Sequence, residues 1–535
     1  MSALNENNPP TLWVMSQRFD VIVMGGGHNG LVAACYLADA GLKVGVLENQ
    51  PVFGGAAVSE EPFPGVGARL SRYSYLVSLF PEKIRNDLGL SLELRRRRFS
   101  SYTPVPGGPG GLLIDTADPA RTEASFRSIG AAEDWTAWQE FYRETTELAG
   151  VVFPRVTDPL LTRGEMRALV EQQTGSTRVW DTLIETPLRR VVEDRFTSDL
   201  VGGVVMTDGL IGTFPDSPDD MAASICFLYH VIGGGTGDWD VPVGGMGALT
   251  GSLERAARRR GVTLVSSAEI THIEGTEVTW RDGQSERSAS ARLLLAGFSP
   301  TELARIRGDE PPSPHAEGAQ VKVNMVLERL PRLKDSSVRP EEAFGGTFHI
   351  NELLSQFDQA SSRVLGGDFP DPIPAEIYCH SLTDPSILDH RLQQLGAQTL
   401  TVFALHVPHR LMQGRDADDT RERLQRKVLD SLNSVLAEPI DGLILRDANG
   451  QPCVETKTTA DLEKSLRLPG GNIFHGPLSW PFAEDTEDLT QPAARWGVAS
   501  GTDTILLAGS GARRGGAVSG IAGHNAAMAS LELLS

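Results

Sequence analysis

FDVIVMGGGHNGLVAACYLADAGLKVGVLE, residues 19–48, is the stretch that decides the fold. FDVIVM (19–24) is a short apolar run, ended by GGGHNG (25–30). Leu31, Ala34, Cys35 and Ala38 follow at helical spacing, Gly41 stops the helix, and KVGVLE (43–48) is a second short strand. Strand, glycine turn, helix and parallel strand predict one βαβ unit. Inside it, Gly25-x-Gly27-x-x-Gly30 has the spacing of a dinucleotide fingerprint. Gly25 permits the tight turn, Gly27 lets a pyrophosphate approach the backbone, and Gly30 lets helix pack close to strand. The helix N-terminus offers N–H groups and a positive dipole end to phosphates. Glu48, 18 residues beyond Gly30, stands where an acidic side chain accepts hydrogen bonds from ribose hydroxyls. GxGxxG alone says little in a chain of 56 glycines; the strand, helix and acid around it make it specific. A glycine-rich turn without a ligand is the alternative reading.

Two further glycine turns choose between dinucleotides. FGGAAVSEE (53–61) follows Glu48 directly and can reach the same pyrophosphate, as a long, extended FAD requires. GSGARRGGAVSGIAGHNAA (509–527) again puts glycines between a strand, TDTILLAGSG (502–511), and a helix running to Leu534. Turns at opposite ends of the chain suggest one ligand clasped by both, although the second alone would also suit a plain β-to-α connection.

Between them, TPVPGGPGG (103–111) reads as a loop leaving the first unit, and residues 118–235 as mostly helical. VPVGGMGALTGSLERAARRRGV (241–262) is a turn into a helix; VTLV (262–265), EVTWRDGQSERSASARLLLAG (277–297) and QVKVNMVLERL (320–330) read as strands. The expected organisation is a tail over 1–16, FAD-binding pieces at 17–102, 240–308 and 490–535, and substrate-domain pieces at 103–239 and 309–489.

Composition excludes other classes. The 535 residues carry 69 acidic and 49 basic side chains, a net charge of −20, so no positive field is available to displace counterions from nucleic acid. Cys35, Cys226, Cys379 and Cys453 stand far apart without a CxxC pair, which excludes a local redox dithiol and a cysteine zinc knuckle. No metal site is expected; a proline separates His406 from His409 and no carboxylate stands at motif spacing. The N-terminus shows neither a secretory nor an organelle-targeting pattern, and no apolar window spans a bilayer. A soluble, cytoplasmic protein is expected. The basic runs Arg95 to Arg98 and Arg258 to Arg260 are either solvated faces or a peripheral contact with an anionic membrane.

The fingerprint, the GGAAVSEE turn and the C-terminal glycine motif resemble the phytoene desaturase-like branch of FAD-dependent oxidoreductases, the carotenoid/retinoid oxidoreductase family. ARLSRYSYLVSLFPEKIRNDLGL (68–90), SYTPV (101–105) and GGMGAL (244–249) resemble its subgroup of pyridine nucleotide-disulfide oxidoreductase domain-containing protein 2. That resemblance implies an α/β, two-domain FAD-binding Rossmann-type flavoprotein with a discontinuous FAD domain and an α+β substrate domain. It implies non-covalent FAD with Gly25, Gly27, Gly30 and Glu48 on the ADP half and Gly54, Gly55 and Ala56 along the pyrophosphate. Ser71, Arg72 and Tyr73 would lie near the flavin ring, Val265 would touch the adenine by backbone, and Gly509, Ser510, Ala517 and Val518 would line the ribityl chain and pyrimidine edge. Relatives commonly carry His-Pro where this chain has Arg513-Arg514; cations there could stabilise a reduced flavin or suit an anionic substrate. Lys322 falls where flavin amine oxidases carry a lysine that holds water against N5, or it is simply the polar face of an alternating strand.

Three functions stay open. One is a dehydrogenase or desaturase passing a hydride from an apolar, isoprenoid-like substrate to the flavin, with oxygen, a quinone or NAD(P)+ as acceptor. Its pocket would be largely apolar, lined from the helical segment 118–235 and the strands after 320. An aromatic cage with Lys322 at N5 would favour an amine oxidase-like enzyme, and a filled or absent pocket a regulatory flavoprotein.

Overall fold

A computed structural model describes residues 17–75, 77–237, 239–312 and 317–535. The tail expected over 1–16 lies outside the described residues. The decisive stretch forms strand Val21–Met24, helix His28–Asp39 and strand Val44–Leu47, the strands parallel with Ile22 opposite Gly45. Gly41 turns the chain at φ +83°, just past the helix. Both strands are buried at all four positions, as a parallel sheet covered on both faces requires.

The full parallel sheet runs Thr263–Val265, Val44–Leu47, Val21–Met24, Leu293–Ala296, Ile505–Leu507. Val44–Leu47 and Thr263–Val265 extend the sheet on one side of the central Val21–Met24, and Leu293–Ala296 and Ile505–Leu507 are added later on the other. The crevice at the strands' carboxyl ends therefore opens at the switch point, where such sheets take ligands. Helix Ile521–Leu534 crosses His28–Asp39 so closely that a Cβ at Gly523 would lie 1.9 Å from the Asn29 carbonyl oxygen. The predicted hairpin is strands Glu277–Asp282 and Ser285–Ser290, turning through Gly283.

A second, mixed sheet has the order Val454–Lys457, Val321–Leu327, Gln398–Ala404, Ala375–Tyr378, Thr347–Ile350, Phe99–Pro104, Gly111–Asp115. TPVPGGPGG is thus the turn of an edge hairpin within this sheet, not a departing loop. Val321–Leu327 is buried at all seven positions, although its sequence alternates. Val321, Val323 and Met325 pack into an apolar core with Leu424, Val428 and Leu432 of helix Ala417–Val435. Lys322 and Asn324 occupy the opposite face, which is covered by protein rather than water. Residues 118–235 are helical as expected, with Asp134–Val152 and Asp199–Thr207 among their helices.

No helix among the described residues is long and apolar enough to cross a membrane. Most arginines of the basic runs are paired or withdrawn, and Arg259 is exposed. Arg95, Arg96 and Arg98 pair with Glu93, Asp240 and Asp115, Arg97 is withdrawn from water, and Arg258 and Arg260 pair with Glu254 and Asp39.

Candidate functional site

The glycine turns meet at the switch point. Gly25 has φ +104°, and a Cβ on Gly30 would stand 2.1 Å from the Gly25 carbonyl oxygen, so the helix begins against the strand end only because both are glycine. Gly27 bridges to Gly54, whose N–H donates to the Gly26 carbonyl at 2.9 Å, and Gly55 (φ +59°) lies against the Gly27 backbone. The first two turns are therefore one structure. The third joins through Gly297: a Cβ on Gly509 would fall 2.6 Å from the Gly297 carbonyl oxygen, and one on Gly297 3.0 Å from that of Gly25. Gly297 closes LLLAG in the sequence, and a glycine at a strand end was the signal that could have marked it.

A cavity extends from these turns to the second sheet. Glu48, Gln50, Ala268, Ile270, Glu302 and Arg467 line one end; Gly25, Gly27, Gly55, Ala56, Asn29 and Ser510 line the middle with Ala517 and Val518. Tyr75, Ile211, His230, Trp239, Phe403 and Phe474 line the other end. Glu48 is buried, and each carboxylate oxygen accepts one backbone N–H, from Gly26 at 2.7 Å and from Gln50 at 2.8 Å. Burial raises its pKa against the opposing pull of the Gln50, Gly26 and Asn49 N–H groups. Each oxygen keeps a second acceptor site for a ribose hydroxyl. Helix His28–Asp39 begins at Gly27 without a side-chain cap, leaving its first N–H groups to the cavity.

Three buried atoms of the wall lack a partner: His28 Nε2, Asn29 Oδ1 and His475 Nδ1. Unsatisfied polar atoms facing a glycine cradle, with an acid placed for a ribose, fit a bound dinucleotide. FAD, when bound here, supplies the acceptor for a substrate hydride. Burial holds His28, His475 and His230 near pKa 4, so all three imidazoles are neutral at neutral pH.

Of the remaining expected site residues, Tyr73 lines the cavity. Ser71 lies behind the wall, and Arg72 turns to a polar cleft, where it pairs with Glu60 and with Glu455 at 2.7 Å. Val265 does not line the cavity; its carbonyl accepts the Glu48 N–H at 2.8 Å, as the sheet register demands. Lys322 is also outside the lining. Its Nζ donates to the Ser71 and Ser74 carbonyls at 2.7 and 3.1 Å, under the Tyr75 ring, and burial pulls its pKa down to about 7. It holds the segment that carries Tyr73 and Tyr75.

The arginines are the clearest correction. Arg514, 2% exposed, donates to the carbonyls of Arg155, Asp158 and Trp496 at 2.7–3.1 Å. Arg513 donates to the Phe482 carbonyl and pairs with Glu487 at 3.0 Å. Neither lines the cavity, because three carbonyls from two segments, 155–158 and Trp496, converge on Arg514 and an acidic loop takes Arg513. Tyr75, His230, Trp239, Phe403 and His475 were missed by the sequence reading; no local pattern marks them, since they converge from distant segments. The four cysteines are buried and dispersed, and burial pushes their thiol pKa values up to about 11 or 12.

Parallel sheet, joined glycine turns and ribose acid together define an FAD-binding Rossmann-type oxidoreductase. The model of the NAD(P)-binding Rossmann-like domain matches residues 23–86. Uncharacterized protein Rv0897c of Mycobacterium tuberculosis (strain ATCC 25618 / H37Rv) is 51% identical over 525 residues, 96% of this chain and 97% of the relative. Pyridine nucleotide-disulfide oxidoreductase domain-containing protein 2 of Mus musculus is 30% identical over 571 residues, 96% of this chain and 93% of the relative. The chain belongs to the family of pyridine nucleotide-disulfide oxidoreductase domain-containing protein 2. Among solved structures, cyclohexylamine oxidase from Brevibacterium oxydans IH-35A aligns with a TM-score of 0.54 at 16% identity, covering 97% of this chain and 100% of that one, a likeness of fold alone.

Proposed function

We propose that the protein is an FAD-dependent dehydrogenase or desaturase of an apolar, uncharged substrate. One observation carries this reading: among the described residues, the end of the cavity formed by Tyr75, Ile211, Trp239, Phe403, Ile473 and Phe474 presents no Lys, Arg, Asp or Glu. Its histidine, His230, is neutral and bonded through Nδ1 to the Cys226 carbonyl at 2.8 Å. A substrate without charge is held by buried apolar area, at about 25 cal/mol per Å², which Ile211 and Phe403 supply together with Tyr75, Trp239 and Phe474. Arg513 and Arg514, which would have argued for an anion, face elsewhere.

In this reading Gly25, Gly27, Gly54, Gly55, Ala56 and Glu48 hold the ADP half, and Ser510, Ala517, Val518 and Tyr73 stand toward the flavin. Gly30 and Gly509 serve by close packing. The FAD-binding pieces 17–102, 240–308 and 490–535 are consistent with the origin of the five parallel strands, save that the first piece cuts through Phe99–Pro104. A second reading, an amine oxidase-like enzyme, is favoured by the aromatic wall of Tyr75, Trp239 and Phe403 with Lys322 beneath Tyr75. The readings are separated by anaerobic titration of the purified yellow protein with phytoene in detergent and with cyclohexylamine. Flavin bleaching by the hydrocarbon and not by the amine is expected; bleaching by the amine alone overturns the proposal. Reoxidation by oxygen, quinones or NAD(P)+ then identifies the acceptor.

A further inference from the structure

The face of the mixed sheet that looks toward the cavity is polar although it is buried. Cross-strand partners share a face, so the register His349–Glu376–Phe403–Lys322 lays one row of side chains across four strands. Phe403 of that row lines the cavity, and Glu376 is its neighbour. Two residues along the same strand and on the same face, Tyr378 donates its hydroxyl to Glu376 Oε2 at 2.5 Å. The Tyr378 ring packs against that of Tyr75, 4.6 Å between centroids, and Tyr75 is part of the cavity wall.

Behind Glu376 lies a cluster that no feature of cofactor binding uses. His349 Nδ1 meets Glu352 Oε2 at 2.5 Å, Glu352 Oε1 has no partner, and the half-buried Asp208 stands near enough for its charge to act on Glu376. Arg97 sits 5.7 Å over the Tyr378 ring, and Cys226 faces the same group from its helix. Two buried carboxylates, Glu352 and Glu376, and the half-buried Asp208 around one histidine are expensive to fold, and apolar side chains would fill the space at lower cost. Such clusters beside a cleft mark sites where protons move.

We propose that Tyr75, Tyr378 and Glu376 form a proton path from the substrate end of the cavity into the sheet, with Glu376 as the terminal acceptor. The inference rests on the dehydrogenase reading. Turning a single bond into a double bond removes a hydride and a proton. Bound FAD would supply the acceptor for the hydride and its electron pair. The proton goes to the Tyr75 oxygen, the Tyr75 phenol proton passes to Tyr378, and the Tyr378 proton passes to Glu376. Both tyrosines end as they began, and Glu376 ends as the carboxylic acid. Glu376 must start ionised; burial, with Glu352 and Asp208 adding to it and His349 opposing, raises its pKa to about 8. The path therefore accepts protons more readily as pH rises through that value.

A group that exchanges protons with the cavity changes its proton affinity when the cofactor is reduced, so the flavin midpoint potential plotted against pH bends at that group's pKa. In the FAD-loaded protein the bend is expected at about pH 8. It is lost in Glu376→Gln and kept in Glu376→Asp and in Tyr378→Phe, which leaves the carboxyl but cuts the path. Anaerobic photoreduction above about pH 8, followed by mixing with whichever of dioxygen, a quinone or NAD(P)+ reoxidises the wild type, releases a proton into the cavity that leaves by the same path: Tyr378→Phe should slow reoxidation at least about tenfold. A wild-type bend in Glu376→Gln, or wild-type reoxidation in Tyr378→Phe, overturns the proposal. If Glu376→Gln yields no FAD-loaded protein, the Tyr378→Phe rate decides. No substrate is used, so this failure is distinct from failure of the apolar-substrate reading.

Discussion

Gly27→Ala separates ligand binding from folding at the heart of the site. Gly27 has φ −67° and ψ 173°, an extended conformation open to alanine. An added Cβ meets only the Gly55 Cα, at 3.9 Å, which is ordinary contact. Alanine in place of glycine restricts the unfolded chain and stabilises by about 0.4–1 kcal/mol. Alanine is also a poorer helix N-cap than glycine, by an amount of similar size. The two nearly cancel, so the unfolding midpoint of the cofactor-free protein should barely move. The same methyl projects into the cavity where a pyrophosphate must approach the backbone. Forcing a methylene into a filled site costs about 1–3 kcal/mol, which weakens FAD binding by about 5- to 150-fold. Gly30→Ala is the contrast, because its Cβ would stand 2.1 Å from the Gly25 carbonyl and damage the fold with or without ligand. The assay is reconstitution of cofactor-free protein with FAD, followed by flavin fluorescence, beside thermal unfolding of the same samples. Wild-type FAD affinity in Gly27→Ala would refute the placement of the pyrophosphate, and a large loss of stability without ligand would refute the packing argument.

Glu48→Gln keeps one acceptor oxygen for two backbone donors, so the N–H of Gly26 or Gln50 is left facing an amide; FAD affinity and stability should both fall by about 1–3 kcal/mol, measured by the same titration and melt. Arg514→Leu strips one buried and two part-buried carbonyls of their donor and should destabilise by about 1–3 kcal/mol; because Arg514 stands off the cavity, the flavin potential should not shift, and a clear shift would restore its flavin role. Replacing all four cysteines by alanine should leave photoreduction of the flavin intact in the folded protein; loss of reduction would revive a disulfide function. Stability should fall on acidification. Five buried histidines and the half-buried His475, with His28, His230, His406, His475 and His524 at about 4 and His380 at about 3, stay neutral in the fold but take protons below about 6.5 when unfolded. Asp208 and Glu376, raised to about 6 and 8, work the other way, so the unfolding midpoint followed between about pH 6.5 and 4 should drop, and a midpoint constant across that window would contradict the burial of the imidazoles.

The fold was legible because its signals are local. A glycine fingerprint, a strand on each side and an acid at the right distance lie within residues 19–48, and backbone sterics alone tie those residue types to that turn. The two later glycine turns were legible for the same reason, since glycine declares a close approach wherever it falls. Local pattern misled where the answer depended on what covers a face. Lys322 alternates with apolar neighbours as a solvent-facing residue does, yet it is buried under Ser71 and Ser74. Arg513 and Arg514 sit in the cofactor's glycine loop, but Arg514 is drawn off by carbonyls from positions 155, 158 and 496, which no sequence spacing reveals.

The substrate end shows the division most plainly. Tyr75, Ile211, His230, Trp239, Phe403 and Phe474 come from five stretches of chain, and Glu376 joins Tyr75 only through the register of the mixed sheet. Sequence by itself determined the dinucleotide cradle, because a phosphate-binding turn is made by the backbone of consecutive residues. Only the tertiary structure decided which side chains face the cofactor and which polar groups are sealed beneath them. Burial and contact between distant strands are properties of packing, and periodicity records which residues share a face but not what lies against it.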